Sequence, residues 1–205
     1  MAELARQAAG GGEPQASDVD TLLARSFYLP FAGPLPAQVL RESIRKRVRT
    51  YLSQYGDELR RTIRPEVAFE VPLGHACVHG RIDLMLRANG GDRRVELIDF
   101  KTSENRPPSE IHINQLRLYA AASERLGLEP VKLAIHDLEA DEGRRHVFGN
   151  DDRERNAFAT RLEEWVEGVR SEDFKPVEDR SICPDCDFRR FCRYAPAEAR
   201  VARQA

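Results

Sequence analysis

No uninterrupted apolar run in this chain approaches the roughly 18 residues that a bilayer-crossing helix requires, which excludes a membrane-spanning helix. The opening segment MAELARQAAGGGEPQASDVD lacks the apolar core of a signal peptide, so residence in the cytoplasm is expected. Net charge is nearly absent: 32 Lys and Arg stand against 34 Asp and Glu, for −2 at pH 7. Any affinity for a polyanion must therefore come from local patches. No internal repeat is present. Cysteine is scarce, with four in the chain, and in a reducing compartment these argue for metal or cluster ligation, or for buried thiols, ahead of disulfides.

What remains is 205 residues, 41% hydrophobic and 32% charged, enough for one globular domain that needs no disulfide staples, with a small appendage. Residues 1–19 combine alanines, three consecutive glycines and scattered charge without a sustained apolar face, and read as a mobile lead-in. Residues 20–178 read as the main domain and 179–205 as a cysteine-rich segment and tail. Val39, Leu40, Ile44, Val48 and Leu52 recur with helical period. From Arg41 to Arg64 eight basic residues face three acidic ones, either a solvated helix face or a phosphate-facing surface. Three strand-like runs follow, Glu66–Leu73, Ala76–Leu86 and Val95–Thr102, joined by short turns into an antiparallel meander. A helix at Ile111–Leu126, strands at Val131–Leu138 and Arg145–Phe148, and a helix at Asp151–Val169 complete a mixed α/β domain. In the last helix Phe158, Leu162, Trp165 and Val169 are read as core.

The chemistry concentrates in the meander. Gly80-Arg81-Ile82-Asp83 places an acid in the second strand, and Ile98-Asp99-Phe100-Lys101 places an acid and a lysine two apart in the third. Side chains alternate along a strand, so Asp99 and Lys101 share a face, and pairing of the two strands brings Asp83 toward them. Two carboxylates suit a hard divalent cation such as Mg2+ beside substrate phosphate oxygens, which lowers the pKa of water and offsets charge at phosphorus. An ordinary hairpin with solvated charges is the alternative for either motif alone. On the following helix His112, Gln115 and Tyr119 stand at i, i+3 and i+7 along one face.

GRIDL, then IDFKT after a short gap, then NQLRLYA on the next helix resembles the RecB-type branch of the PD-(D/E)xK nuclease superfamily, which includes nuclease domains fused to UvrD-like helicases and AddB-like iron–sulfur nucleases. The resemblance covers roughly residues 66 to 195. It implies a restriction-endonuclease-like mixed sheet flanked by helices, and a divalent-metal-dependent DNA exonuclease of recombination and repair working with a helicase on single strands or duplex ends. Asp83 and Asp99 would bind Mg2+ or Mn2+ with the Phe100 carbonyl, Lys101 would be the catalytic lysine, and Gln115 and Tyr119 the family's QxxxY pair. Arg189, Arg190 and Arg193 would join the Arg41–Arg64 surface in guiding the strand.

Cys183, Cys186 and Cys192 form C-x2-C-x5-C in a polar segment, a spacing that invites Zn2+ or an iron–sulfur cluster. In the iron–sulfur members such a triplet joins a single upstream cysteine around a 4Fe-4S cluster. Two departures follow. Nothing before Cys77 is a cysteine, and Cys77 lies inside the second strand, so the fourth ligand is not identified; and residues 1–74 contain no histidine where the family usually has a metal ligand, leaving His75 and His79 on the hairpin. Both absences suit either a catalytically silent DNA-binding or scaffolding module or a fragment of a longer helicase-nuclease. A zinc ribbon used for partner contact is a third reading of the triplet.

Overall fold

A computed structural model describes residues 1–102, 108–139, 144–173, 183 and 186–196. The remaining parts of the cysteine-rich segment, 179–182, 184–185 and 197–205, lie outside the described residues. The chain divides into two compact units, Met1–Arg161 and Leu162–Ala205.

The first unit is built on a five-stranded sheet in sequential order: β1 (Thr62–Leu73), β2 (Ala76–Arg87), β3 (Arg94–Lys101), β4 (Glu129–Asp137) and β5 (Arg144–Phe148). Tight turns make β1–β2 and β2–β3 antiparallel. Between β3 and β4 the chain crosses through helix α4 (Glu110–Arg125), and such a crossover makes β3 and β4 parallel. β4 and β5 are again antiparallel. The mixed sheet flanked by helices is the α/β architecture expected from the sequence.

Alternation along β3 divides the interior into two cores. On one face Val95 and Leu97 pack with Val67, Phe69, Met85, Leu133 and Ile135 beneath Leu116, Tyr119 and Ala120 of α4. On the other, Ile98 packs with Leu84, Leu86 and Ala134 beneath α1 (Ala2–Ala9), α2 (Ala16–Ser26) and α3 (Pro34–Tyr55). The lead-in is thus corrected: residues 2–9 fold as α1, with Leu4 at 1% exposure and Ala5 and Ala8 also buried. One leucine and two alanines make too narrow a stripe to stand out in the sequence, yet alanine carries the highest helix propensity and Leu4 finds an apolar floor. Burying such a leucine contributes about 1.5–3 kcal/mol.

Helix α3 starts five residues before the apolar period becomes legible. Pro34 occupies its first turn after Gly33, where the missing N–H is not needed and the ring presets φ. A 3-10 turn, Gly56–Arg61, then leads into β1. Helix α5 (Asp152–Arg170) begins in the first unit and ends in the second. Of the four positions read there as core, Phe158 is buried, but Trp165 is 46% and Val169 64% exposed. Periodicity marks a face without saying what covers it.

In the second unit, the backbone turns at the cysteines: Cys186 N–H donates to the Cys183 carbonyl at 3.3 Å, and Cys192 N–H to the Phe188 carbonyl at 2.9 Å.

Candidate active site

The C-terminal ends of β3 and β4 carry the polar residues. Lys101 Nζ lies 2.8 Å from Asp99 Oδ2 on the α4 side of β3, as their two-residue spacing predicts. Asp83 enters from β2 just where that strand parts from β3, one residue beyond the Leu84–Ile98 pair. Its Oδ2 accepts the Phe100 backbone N–H at 2.9 Å, so a side chain replaces the ladder bond and fixes Asp83 beside Asp99.

Helix α4 closes the arrangement. Gln115 and Tyr119 are one turn apart on the face above β3. Lys101 Nζ donates to Gln115 Oε1 at 2.7 Å, Gln115 Nε2 to the Tyr119 hydroxyl at 2.6 Å, and the Tyr119 hydroxyl to Asp99 Oδ1 at 3.5 Å. Asp99, Lys101, Gln115 and Tyr119 therefore form a closed ring. Asp99 Oδ2 faces the Lys101 ammonium as an ion pair and has no further hydrogen-bond partner among the described residues.

Burial dominates the electrostatics. Asp99 is 1% exposed, and burial holds its pKa above the ordinary carboxylate value; Lys101 opposes that rise and the charge of Asp83 adds to it. Burial likewise raises the Tyr119 phenol, reinforced by Asp99 and Asp83, so it stays protonated and can donate. His112, whose Nδ1 accepts the Ser109 N–H at 3.4 Å, is shifted down by burial and then by the charge of Lys101, which favours the neutral ring.

The glycine of GRID acts through packing. It stands opposite Phe69 in the β1–β2 register, and a Cβ there would lie 2.3 Å from Phe69 Cζ. Without that Cβ the Phe69 ring lies across the strand and meets Tyr119 edge to face, centroids 5.8 Å apart. Gly80 thus helps to seat the tyrosine that holds Asp99.

Several residues near the site were not singled out by sequence reasoning. Asp137, 5% exposed, ends β4 in register with Lys101 and accepts the Glu139 N–H through Oδ1 at 2.8 Å. His136 beside it is fully buried against Tyr51, Tyr55 and Phe100. The signal was a His-Asp pair ending the apolar run VKLAIHDL. Glu66 lies across β1 from Asp83, between the pairs Pro65–Leu84 and Val67–Ile82, with a left-handed φ of 51°. It pairs with Arg6 and, at 3.8 Å, with Arg81. Nothing in the sequence marks it.

Other candidates go elsewhere. His79 is four residues along β2 from Asp83, about 13 Å at strand rise, and its Nδ1 lies 3.3 Å from Glu70. It does not join Asp83. Much of the basic run from Arg41 to Arg64 is spent in ion pairs: Arg45 and Arg49 with Asp20, Arg47 with Glu139, Arg60 with Glu13 and Arg61 with Glu96. The surface left for phosphate is smaller than the count of charges implies. Cys183, Cys186 and Cys192 are partly exposed free thiols. Among the described residues, the group of Cys, His and acidic side chains with donor atoms all within 4.8 Å is Glu70, Cys77 and His79 rather than this triplet.

Asp83 and Asp99 bring two carboxylates together beside Lys101, and oxygen donors of this kind suit Mg2+ or Mn2+. Three thiolates alone supply one ligand fewer than a 4Fe-4S cube takes.

Residues 1–193 match the family model described as the PD-(D/E)XK nuclease superfamily. Among solved structures, a candidate exonuclease from Eubacterium rectale is similar at 10% identity with a TM-score of 0.51, over 88% of this chain and 72% of that one. The protein SSO0001 is similar at 15% identity with a TM-score of 0.48, over 97% and 96%. No curated protein matches the sequence.

Proposed function

The chain belongs to the PD-(D/E)XK nuclease superfamily, and from that premise we propose that it is a divalent-metal-dependent DNA exonuclease that trims single strands or duplex ends in recombination or repair, alongside a helicase. The observation that carries the reading is the closed ring of Asp99, Lys101, Gln115 and Tyr119 with Asp83 fixed beside it. Asp83, Asp99 and the Phe100 carbonyl would hold Mg2+ or Mn2+, which supplies a lowered pKa for the attacking water and neutralises charge on the phosphate. Lys101, held between Asp99 and Gln115, would stabilise charge developing on the phosphate oxygens. Gln115 fixes the Lys101 rotamer, and Tyr119 fixes Asp99, so neither must reorganise during the reaction. Arg41, Lys46 and Arg64, outside the ion pairs of the basic run, are available to the DNA backbone. Cys183, Cys186 and Cys192 would hold a 4Fe-4S cluster or Zn2+ that orders the C-terminal segment.

Digestion of end-labelled single-stranded and duplex DNA with Mg2+ or Mn2+ tests this reading. Progressive loss of mononucleotides from the ends is the expected pattern, and internal cuts would remove the exonuclease assignment. A second reading, a nuclease-fold DNA-binding module without turnover, is favoured by one observation: residues 1–74 supply no histidine, and His79 lies with Glu70 rather than with Asp83. DNA bound with no product in either metal would establish that reading instead.

A further inference from the structure

At the outer end of the β1–β2 hairpin, three chemically different ligands meet. β2 pairs with β3 from Leu84 onward, so the segment around Cys77 and His79 is flanked in the sheet by β1, which lies at the sheet edge. Cys77 and His79, two residues apart, project from the same face of β2. Glu70 is the direct cross-strand partner of His79, and Pro72 that of Cys77. A thiol, an imidazole and a carboxylate thereby converge, with donor atoms all within 4.8 Å of one another. The imidazole Nδ1 and the carboxylate already lie 3.3 Å apart.

We propose that Glu70, Cys77 and His79 form a zinc-binding site separate from the nuclease centre. The donor set selects the metal: one soft sulfur, one borderline nitrogen and one oxygen suit Zn2+ and not Mg2+, and a single thiolate does not anchor an iron–sulfur cluster. Tetrahedral bonds of about 2.0–2.3 Å place donors roughly 3.3–3.8 Å apart, and with all donors already within 4.8 Å of one another the closure needed is at most about 1.5 Å. All three side chains are exposed, and rotation about their own torsions provides that movement without strain in the strands. A zinc-bound Cys77 is a thiolate, so binding transfers its proton to solvent, and the complex of Zn2+ with one thiolate, one carboxylate and a neutral imidazole carries no net charge. Its fourth position remains open to water. The metal cross-links β1 to β2 near the hairpin turn, at the end farthest from Asp83.

The test uses the full-length chain loaded with 113Cd2+, with wild type beside Cys77→Ser, Glu70→Gln and Cys183→Ser. A cadmium resonance with the shift of a single-sulfur, mixed-donor site is expected in wild type and in Cys183→Ser. That resonance should disappear in Cys77→Ser and weaken in Glu70→Gln, and zinc dialysis should count one equivalent fewer in Cys77→Ser. Because the three residues are exposed, the variants should melt with wild type in chelator. Equal zinc stoichiometry in wild type and Cys77→Ser, or a mixed-donor resonance surviving that substitution, overturns the proposal. DNA cleavage in Mg2+, measured on the same samples, reads the nuclease site independently: the zinc result stands or falls whether or not cleavage is seen.

Discussion

Adjacent residues of β3 and β4 lead to opposite solutions for buried polarity. On the α4 side, Asp99 and Lys101 meet Gln115 and Tyr119 in a ring in which each member has a partner. On the other side, Phe100 and His136 lie among Tyr51 and Tyr55, with ring centroids 4.8 to 6.0 Å from His136, and neither ring nitrogen of His136 has a hydrogen-bond partner among the described residues. Arg145 stacks over Tyr55 at 3.9 Å. Burial pushes both titratable groups toward neutrality, raising Asp99 and lowering His136 to about 4. What separates them is the counter-charge. Lys101 offsets the cost of an ionised Asp99, whereas the positive charge of Arg145 adds to the cost of protonating His136. The first face keeps a charge available for chemistry, and the second excludes one in favour of packing.

Breaking the charged face has the largest expected effect. Asp99→Asn should lower cleavage by about a thousandfold or more, a transition-state loss of about 4 kcal/mol. Because it also removes a desolvated carboxylate, thermal stability should hold or rise, a combination that a nuclease assay and a melt on the same sample will check. On the apolar face, Leu4→Ala should cost about 2–5 kcal/mol by opening a cavity between α1 and the sheet. A urea midpoint unchanged from wild type would show that α1 does not contribute to the core.

The pH dependence of the second face has a definite sign. The folded pKa of His136, about 4, lies below its ordinary 6.5, so the unfolded chain binds the proton more readily between those values. Stability present above about pH 6.5 is lost as pH falls toward 4, by up to about 3 kcal/mol. His136→Phe keeps the ring and removes the titration. Its urea-derived stability at pH 7 should match or exceed wild type, and the fall on acidification should shrink by the His136 share. Smaller still is Gly80→Ala, which should displace Phe69 and with it Tyr119. A loss of cleavage of about tenfold, with DNA affinity unchanged, would separate this positioning effect from a direct one.

The sequence made the charged face legible and hid the other. Period-two alternation puts Asp99 and Lys101 together, and helical spacing puts Gln115 and Tyr119 above them, because both are local rules. The five strands were also legible, four from apolar or alternating runs bounded by turn residues and the fifth, Arg144–Phe148, only from its short Val-Phe end. His136, Asp137 and Glu66 required a register between strands distant in sequence, which composition does not specify. Arg45, Arg49 and Asp20 teach the same lesson: charges counted as a free basic surface are partly neutralised by a helix twenty-five or more residues away. Alanine-rich α1 failed to show because its apolar stripe is three residues wide, and Trp165 misled because a periodic face need not be covered.

On the proposed function, Asp83, Asp99 and Lys101 constitute a hydrolytic site. The most direct measurement compares wild type with Lys101→Ala on end-labelled DNA in Mg2+ or Mn2+, with DNA affinity determined in parallel. Degradation by wild type, and DNA binding without degradation by Lys101→Ala, is the predicted result. Equal degradation by the two proteins, or none by either while DNA remains bound, contradicts the claim.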